Sequence, residues 1–186
     1  YRLEHTFRVA RIGASIARAE GMDEEAMTIA CLLHDVSYCH VMPDQDSWRE
    51  HGRVSARIAR PFLENLGFAP ETIQEICYGI AIHVDDQADF PGEATMFART
   101  VGDADNIDRF DAYRLYETLE NMAFSKLSLG EKRAHVEKTL ARLSEYRELS
   151  FATAAATALW RERIGFYLDF YRRVAGQPAG RTRFTG

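Results

Sequence analysis

His34 and Asp35 close the apolar run Ile29-Ala30-Cys31-Leu32-Leu33. A neutral imidazole nitrogen and a carboxylate oxygen, adjacent in the chain, can each donate a lone pair to one divalent cation. An unpaired carboxylate directly after a buried segment is costly, and a metal ion would neutralise it. His5, His51, His83 and Asp105 lie around this pair along the chain, more nitrogen and oxygen donors than a core of this size normally hides. Three or four such donors leave coordination positions open for water and substrate, which distinguishes a catalytic metal site from a closed structural one.

The segments that must position these residues all read as helix, with no run of alternating strand residues. The first helix is expected over about 2–20, stopped by Gly21, with His5, Val9, Ile12 and Ile16 on one face and Arg8, Arg11 and Arg18 elsewhere. Asp23 is the expected N-cap of a second helix that runs to about His34. A polar loop from Ser37 to Asp46, interrupted by Pro43, leads to a third helix over about 48–66, capped by Ser47 and stopped by Gly67. The fourth, about 70–84, carries the stripe Ile73, Ile76, Cys77 and Ile80 and presents His83 inward. In the fifth, about 93–110, helical phase points Asp105 inward as a ligand, with Asp108 one turn beyond in a supporting role, and turns Asp103 nearly the opposite way. Further helices are expected near 112–124, 130–148 and 151–175, the last with the apolar stripe Trp160, Ile164, Tyr167, Leu168 and Tyr171. His40 and His135 have no partner in phase and read as ordinary hydrogen-bonded core residues. The reading is one all-α domain over 1–175, with a motif core of about 3–110, additional helices over 111–175 and a flexible tail at 176–186.

Net charge is −5 with a pI of about 5.7, which argues against a general nucleic-acid backbone binder. No apolar run approaches the roughly 20 residues of a membrane span, so no membrane association is expected. Cys31, Cys39 and Cys77 form neither a CxxC pair nor an even set. They point to a reducing, cytoplasmic compartment. The three lysines, Lys126, Lys132 and Lys138, all lie beyond the motif region, so phosphate binding would fall to arginine. Arg53, two residues after His51, and Arg109, one turn after Asp105, are the candidates. The loop Tyr38–Trp48 follows the His-Asp pair directly and is a candidate lid, with Tyr38 and Trp48 available to stack on a ring.

The fragments His5-Thr6-Phe7-Arg8-Val9-Ala10, Ala30-Cys31-Leu32-Leu33-His34-Asp35-Val36, His51-Gly52-Arg53-Val54-Ser55-Ala56, Ile82-His83 and Asp103-Ala104-Asp105-Asn106-Ile107-Asp108, in this order, resemble the HD superfamily of metal-dependent phosphohydrolases. The resemblance covers about residues 3–110. It implies a helical-bundle HD-domain fold, with His5, His34, Asp35 and Asp105 as the main metal ligands. It also implies that His51 and His83 either hold a second metal, with Asp35 bridging, or contact the substrate phosphate. Asp35, His51, His83 and Asp108 would then form the catalytic set, and Arg53, Arg109 and Tyr38 the substrate contacts.

The implied cofactor is one or two divalent ions, with Mn, Mg, Fe, Ni and Zn all compatible with these donors. The implied reaction is hydrolysis of a small phosphorylated substrate (a phosphomonoester, nucleotide or phosphodiester) by a metal-activated water. Two alternatives stand beside it: a di-iron oxygenase of a small organic substrate, and a nucleotide-sensing module without turnover. Val36-Ser37-Tyr38 departs from relatives that carry a Glu just after the HD pair, with no carboxylate before Asp44. The Gly-Tyr-Pro signature of cyclic di-GMP relatives is absent. A homodimer is a further expectation, with the 160–171 stripe as its face if that stripe is not core.

Overall fold

In the computed structural model the described residues are 2–40, 45–87 and 90–177. They form eight α-helices and no strand: α1 (Arg2–Glu20), α2 (Glu24–Leu33), α3 (Gln45–Asn65), α4 (Pro70–Ile82), α5 (Met96–Asp108), α6 (Ala112–Asn121), α7 (Leu129–Arg147) and α8 (Ala154–Gly176). Short 3₁₀ turns lie at Val36–Cys39 and Phe124–Lys126. The expected all-α class is therefore observed. The expectations placed on Pro43, Asp44 and residues 178–186 fall outside the described residues. None of the described helices is long and apolar enough to cross a membrane.

Local chemistry sets the helix ends. The Asp23 carboxylate accepts from the backbone N–H of Ala26 at 3.0 Å, capping α2. Gly21 and Gly67 follow α1 and α3 with φ of +71° and +78°, the left-handed conformation that lets a helix stop. The start of α3 differs from expectation. The helix begins at Gln45, so Ser47 lies inside it and is not its N-cap. α5 also starts later than expected, after Thr95, whose hydroxyl accepts from the N–H of Ala98.

The chain divides into two compact units, the first made of 1–108 with 150–157. Within it α1 packs on α2 and α5, and α4 packs on α2, α3 and α5. The apolar faces read from periodicity fill the middle: Val9, Ile12 and Ile16 of α1 are buried, as are Ile73, Ile76, Cys77 and Ile80 of α4. Two glycines permit unusually close helix approach. A Cβ on Gly52 would lie 2.8 Å from the Ala81 carbonyl and 3.1 Å from Nδ1 of His83, and one on Gly102 would lie 3.2 Å from the His83 carbonyl. Small residues here bring α3 and α5 up against the end of α4, where His83 sits.

In the second unit (109–149 with 158 onward), Trp160, Ile164, Tyr167, Leu168 and Tyr171 are all buried. Phe110 meets Trp160 edge-on at 4.9 Å, and the Trp160 indole N–H donates to the Tyr146 carbonyl at 2.6 Å. α7 opens with a capping box between Ser128 and Glu131.

Candidate metal centre

Four histidines and two aspartates from three helices and two helix ends converge within the first unit. His5 is the fourth residue of α1. His34 and His83 are the C-caps of α2 and α4. Asp35 follows directly, His51 lies on α3 and Asp105 on α5. His5, His34, His51, His83 and Asp105 are buried, and the Asp35 side chain is 13% exposed.

The imidazoles are aimed by their Nδ1 atoms. His34 Nδ1 donates to the Cys31 carbonyl at 2.7 Å, His83 Nδ1 to the Ile80 carbonyl at 2.7 Å, and His51 Nδ1 to the Trp48 carbonyl. Each acceptor lies three residues back on the histidine's own helix, a geometry available at or near a helical turn. His5 Nδ1 donates to Asp108 Oδ2 at 2.8 Å. Carbonyls and carboxylates accept only, so each ring keeps a proton on Nδ1 and turns its Nε2 atom toward the centre.

The Nε2 atoms sort into two groups around the two oxygens of Asp35. Oδ2 lies 3.8 Å from His5 Nε2 and 3.6 Å from His34 Nε2, and Asp105 Oδ1 lies 3.3 and 4.0 Å from the same nitrogens. Oδ1 lies 3.2 Å from His51 Nε2 and 3.7 Å from His83 Nε2. His5-His34-Asp35 and Asp35-His51-His83 are accordingly two donor triplets, each compact enough for one ion, with Asp35 common to both.

The donor set fits a cation on two counts. His34 Nε2 is fully buried without a hydrogen-bond partner, which a native interior rarely tolerates. His51 and His83 point their Nε2 lone pairs at each other across 3.1 Å, and only a shared proton or a cation reconciles them.

The electrostatics of His34 and Asp35 agree with this, and at His5 a cation would have to displace the proton on Nε2. Burial, reinforced by nearby His83, pushes the His34 pKa down to about 4 against the pull of Asp35 and Asp105, so its ring is neutral at neutral pH. Burial would also lower His5, but its hydrogen bonds to Asp105 and Asp108 outweigh that and raise it to about 9. Burial would raise Asp35, yet the imidazoles of His51 and His83 hold it well below the usual carboxylate range.

Supporting contacts tie the donors to one frame. Asp108, almost fully buried, accepts from His5 and also from Arg8 Nε at 2.7 Å and Nη2 at 3.0 Å. The Ser55 hydroxyl, one turn after His51, accepts from the Ser37 backbone N–H at 3.1 Å and donates to its hydroxyl at 2.9 Å. That pair fastens the segment after Asp35 to α3.

Three expectations take a different form. Arg53 is buried and its guanidinium is engaged on every N–H: with Glu50 at 2.9 and 3.0 Å, with Asp85 at 3.3 Å, with the Gln87 carbonyl at 2.8 Å and with the Arg49 carbonyl at 3.4 Å. Its geometry is that of a clamp on the 85–87 turn, not of an open phosphate contact. Arg109 is exposed and belongs to the second unit. Tyr38 does stand beside the centre, 5.0 Å from the His51 ring, but one face is covered by the Arg2 guanidinium at 3.2 Å.

His40 is exposed, contrary to its reading as core, whereas His135 is partly buried beside Phe124 and Tyr171. Asp103, turned away from the donors as its phase required, accepts from the Ala152 N–H at 2.8 Å ahead of α8. Sequence reading missed Arg2 and Arg8. Both lie three residues from His5 on α1, the neighbour spacing of a helix, which was the available signal.

A family model described as the HD domain matches residues 2–113. The 1.45 Å crystal structure of a predicted HD superfamily hydrolase from an uncultured Thermotogales bacterium aligns with a TM-score of 0.64 and 24% identity, covering 94% of this chain and 80% of that one. At this identity the likeness shows the fold. No curated protein matches the chain.

Proposed function

The chain belongs to the HD-domain family, and on that premise we propose that it is a metal-dependent phosphohydrolase acting on a small phosphorylated substrate. The observation that carries the reading is the pair of donor triplets meeting at Asp35. His5, His34, Asp35 and Asp105 would hold one divalent ion, and Asp35, His51 and His83 a second. Bound there, divalent ions supply acidification of a water molecule and neutralisation of charge on phosphoryl oxygens.

The protein's own residues do the rest. Asp108 and the carbonyls of Cys31, Trp48 and Ile80 hold the imidazole protons on Nδ1, so that no ring has to turn before it can act as a donor. Asp35 stays ionised under all ordinary conditions and serves both triplets. Burial of the donors limits bulk water and strengthens every charge interaction at the site. The free thiols Cys31, Cys39 and Cys77 are in keeping with a cytoplasmic location, which we include in the proposal.

A second reading, a di-iron oxygenase of a small organic substrate, draws on the same feature. One Asp35 oxygen faces each histidine pair, and histidine with carboxylate suits iron as well as manganese. Elemental analysis of protein purified without chelator, followed by phosphate release from a phosphomonoester panel, separates the two. Bound divalent metal with phosphate release that stops on chelation supports the hydrolase. Iron with oxygen consumption and no phosphate release transfers the assignment to the oxygenase. Failure to take up any of Mn, Mg, Fe, Ni or Zn sinks both.

A further inference from the structure

We propose that Arg2, stacked on Tyr38 at the rim of the metal centre, is the residue that binds the phosphoryl oxygens of the substrate; the proposal rests on the phosphohydrolase reading above. Three arginines from the first unit approach the donor set or its support, and their bonding separates them. Arg8 is committed to Asp108 through two short bonds. Arg53 has an acceptor for every N–H. Arg2 reaches Asp35 Oδ2 with Nη1 only at 3.5 Å, at the outer limit of a hydrogen bond, and its side chain is 52% exposed.

Arg2 is nonetheless held in place. Its guanidinium carbon lies 3.2 Å from the centroid of the Tyr38 ring, so a cation–π contact holds the fork against Tyr38. Tyr38 is in turn fixed between Arg2 and the His51 ring, 5.0 Å away. Asp35 Oδ2, the oxygen Arg2 approaches, is the one that faces His5 and His34. Once Asp35 shares its charge with a bound cation, its hold on Arg2 weakens. The guanidinium then presents free donors to an anion arriving from solvent at the same spot. A planar fork pairs bidentately with two oxygens of a phosphoryl group, which an ammonium cannot do. Tyr38 is a positioning residue in this scheme, because it acts through Arg2.

The test compares wild type, Arg2→Met and Arg2→Lys, all loaded with Mn²⁺, by calorimetric titration with inorganic phosphate and by metal content. Methionine retains a stem that can lie on Tyr38. The expected result is unchanged Mn²⁺ content in all three, phosphate affinity at least about tenfold weaker in Arg2→Met, and partial recovery in Arg2→Lys. Equal phosphate affinity in wild type and Arg2→Met overturns the Arg2 assignment and leaves the hydrolase reading standing. Loss of Mn²⁺ in Arg2→Met also overturns it, because Arg2 would then belong to the architecture of the centre. A wild-type protein that binds Mn²⁺ but no phosphate overturns the hydrolase reading and the Arg2 proposal together.

Discussion

His51 Nε2 and His83 Nε2 lie 3.1 Å apart, although each ring already gives its Nδ1 proton to a carbonyl on its own helix. Two lone pairs are not brought this close by packing alone. Gly52 is what allows it, since the Ala81 and Ile80 carbonyls occupy the space where its Cβ would be. Gly52→Ala should force α3 away from α4, costing on the order of 1–3 kcal/mol in stability. The same displacement should weaken uptake of the second metal equivalent at least about tenfold, by analogy with other losses of ligand support. Metal titration followed by thermal denaturation reads both effects, and a variant with wild-type uptake would show that the contact is incidental.

Asp35 serves both triplets, so its loss cannot be confined to one of them. Asp35→Ala should leave the helical circular-dichroism spectrum intact while elemental analysis finds essentially no bound metal. Wild-type metal content in this variant would refute the site assignment.

Asp108 touches no proposed ion directly, yet it fixes the His5 tautomer and pairs with Arg8. Asp108→Asn keeps the shape but loses one of the two charges, with that of Asp105, that raise the His5 pKa. Metal affinity should fall roughly 10–100-fold, the usual cost of removing a carboxylate behind a histidine ligand. An affinity within about twofold of wild type, by competition with a chelating dye, would assign Asp108 to stability alone.

Asp103 gives a pH signature away from the donor face. Burial raises its pKa from 3.8 to about 6, helped by Asp86 and opposed by the Ala152 N–H and Arg99. Below 3.8 the folded and unfolded chains both hold the proton. Between 3.8 and about 6 the unfolded chain releases it while the folded chain keeps it, so stability falls as pH rises through this window. Above about 6 the loss is complete, on the order of 3 kcal/mol. Asp103→Asn, which retains an acceptor for Ala152, should remove this slope. Denaturant unfolding of metal-stripped protein at pH 4, 5, 6 and 7 measures it; parallel pH profiles for variant and wild type would contradict the assignment.

Much of the fold was legible because it is written in short-range pattern. The 3.6-residue period put His5 with Val9, Ile12 and Ile16, and it separated the directions of Asp105 and Asp103. Asp23, Gly21 and Gly67 marked helix ends through local hydrogen bonding and backbone freedom. The start of α3 was misread because Ser47 and Glu50 satisfy the capping-box pattern, yet the helix extends three residues further toward the N-terminus.

What the chain order and helical phase determined was the inventory: six inward nitrogen and oxygen donors on an all-α frame. They could not determine which donors meet. The division into two triplets depends on distances between side chains on different helices, and so does the sharing of Asp35. Those distances follow from how closely α3, α4 and α5 pack at Gly52 and Gly102. The arginines make the same point. Arg53 lies only two residues from His51 in sequence, but Asp85 and the Gln87 carbonyl, more than thirty residues away, occupy it. Arg2 gained its place only when the 3₁₀ turn after Asp35 set Tyr38 beneath it. Periodicity fixes the direction of a side chain about its own helix axis, whereas the partner it finds is set by long-range packing.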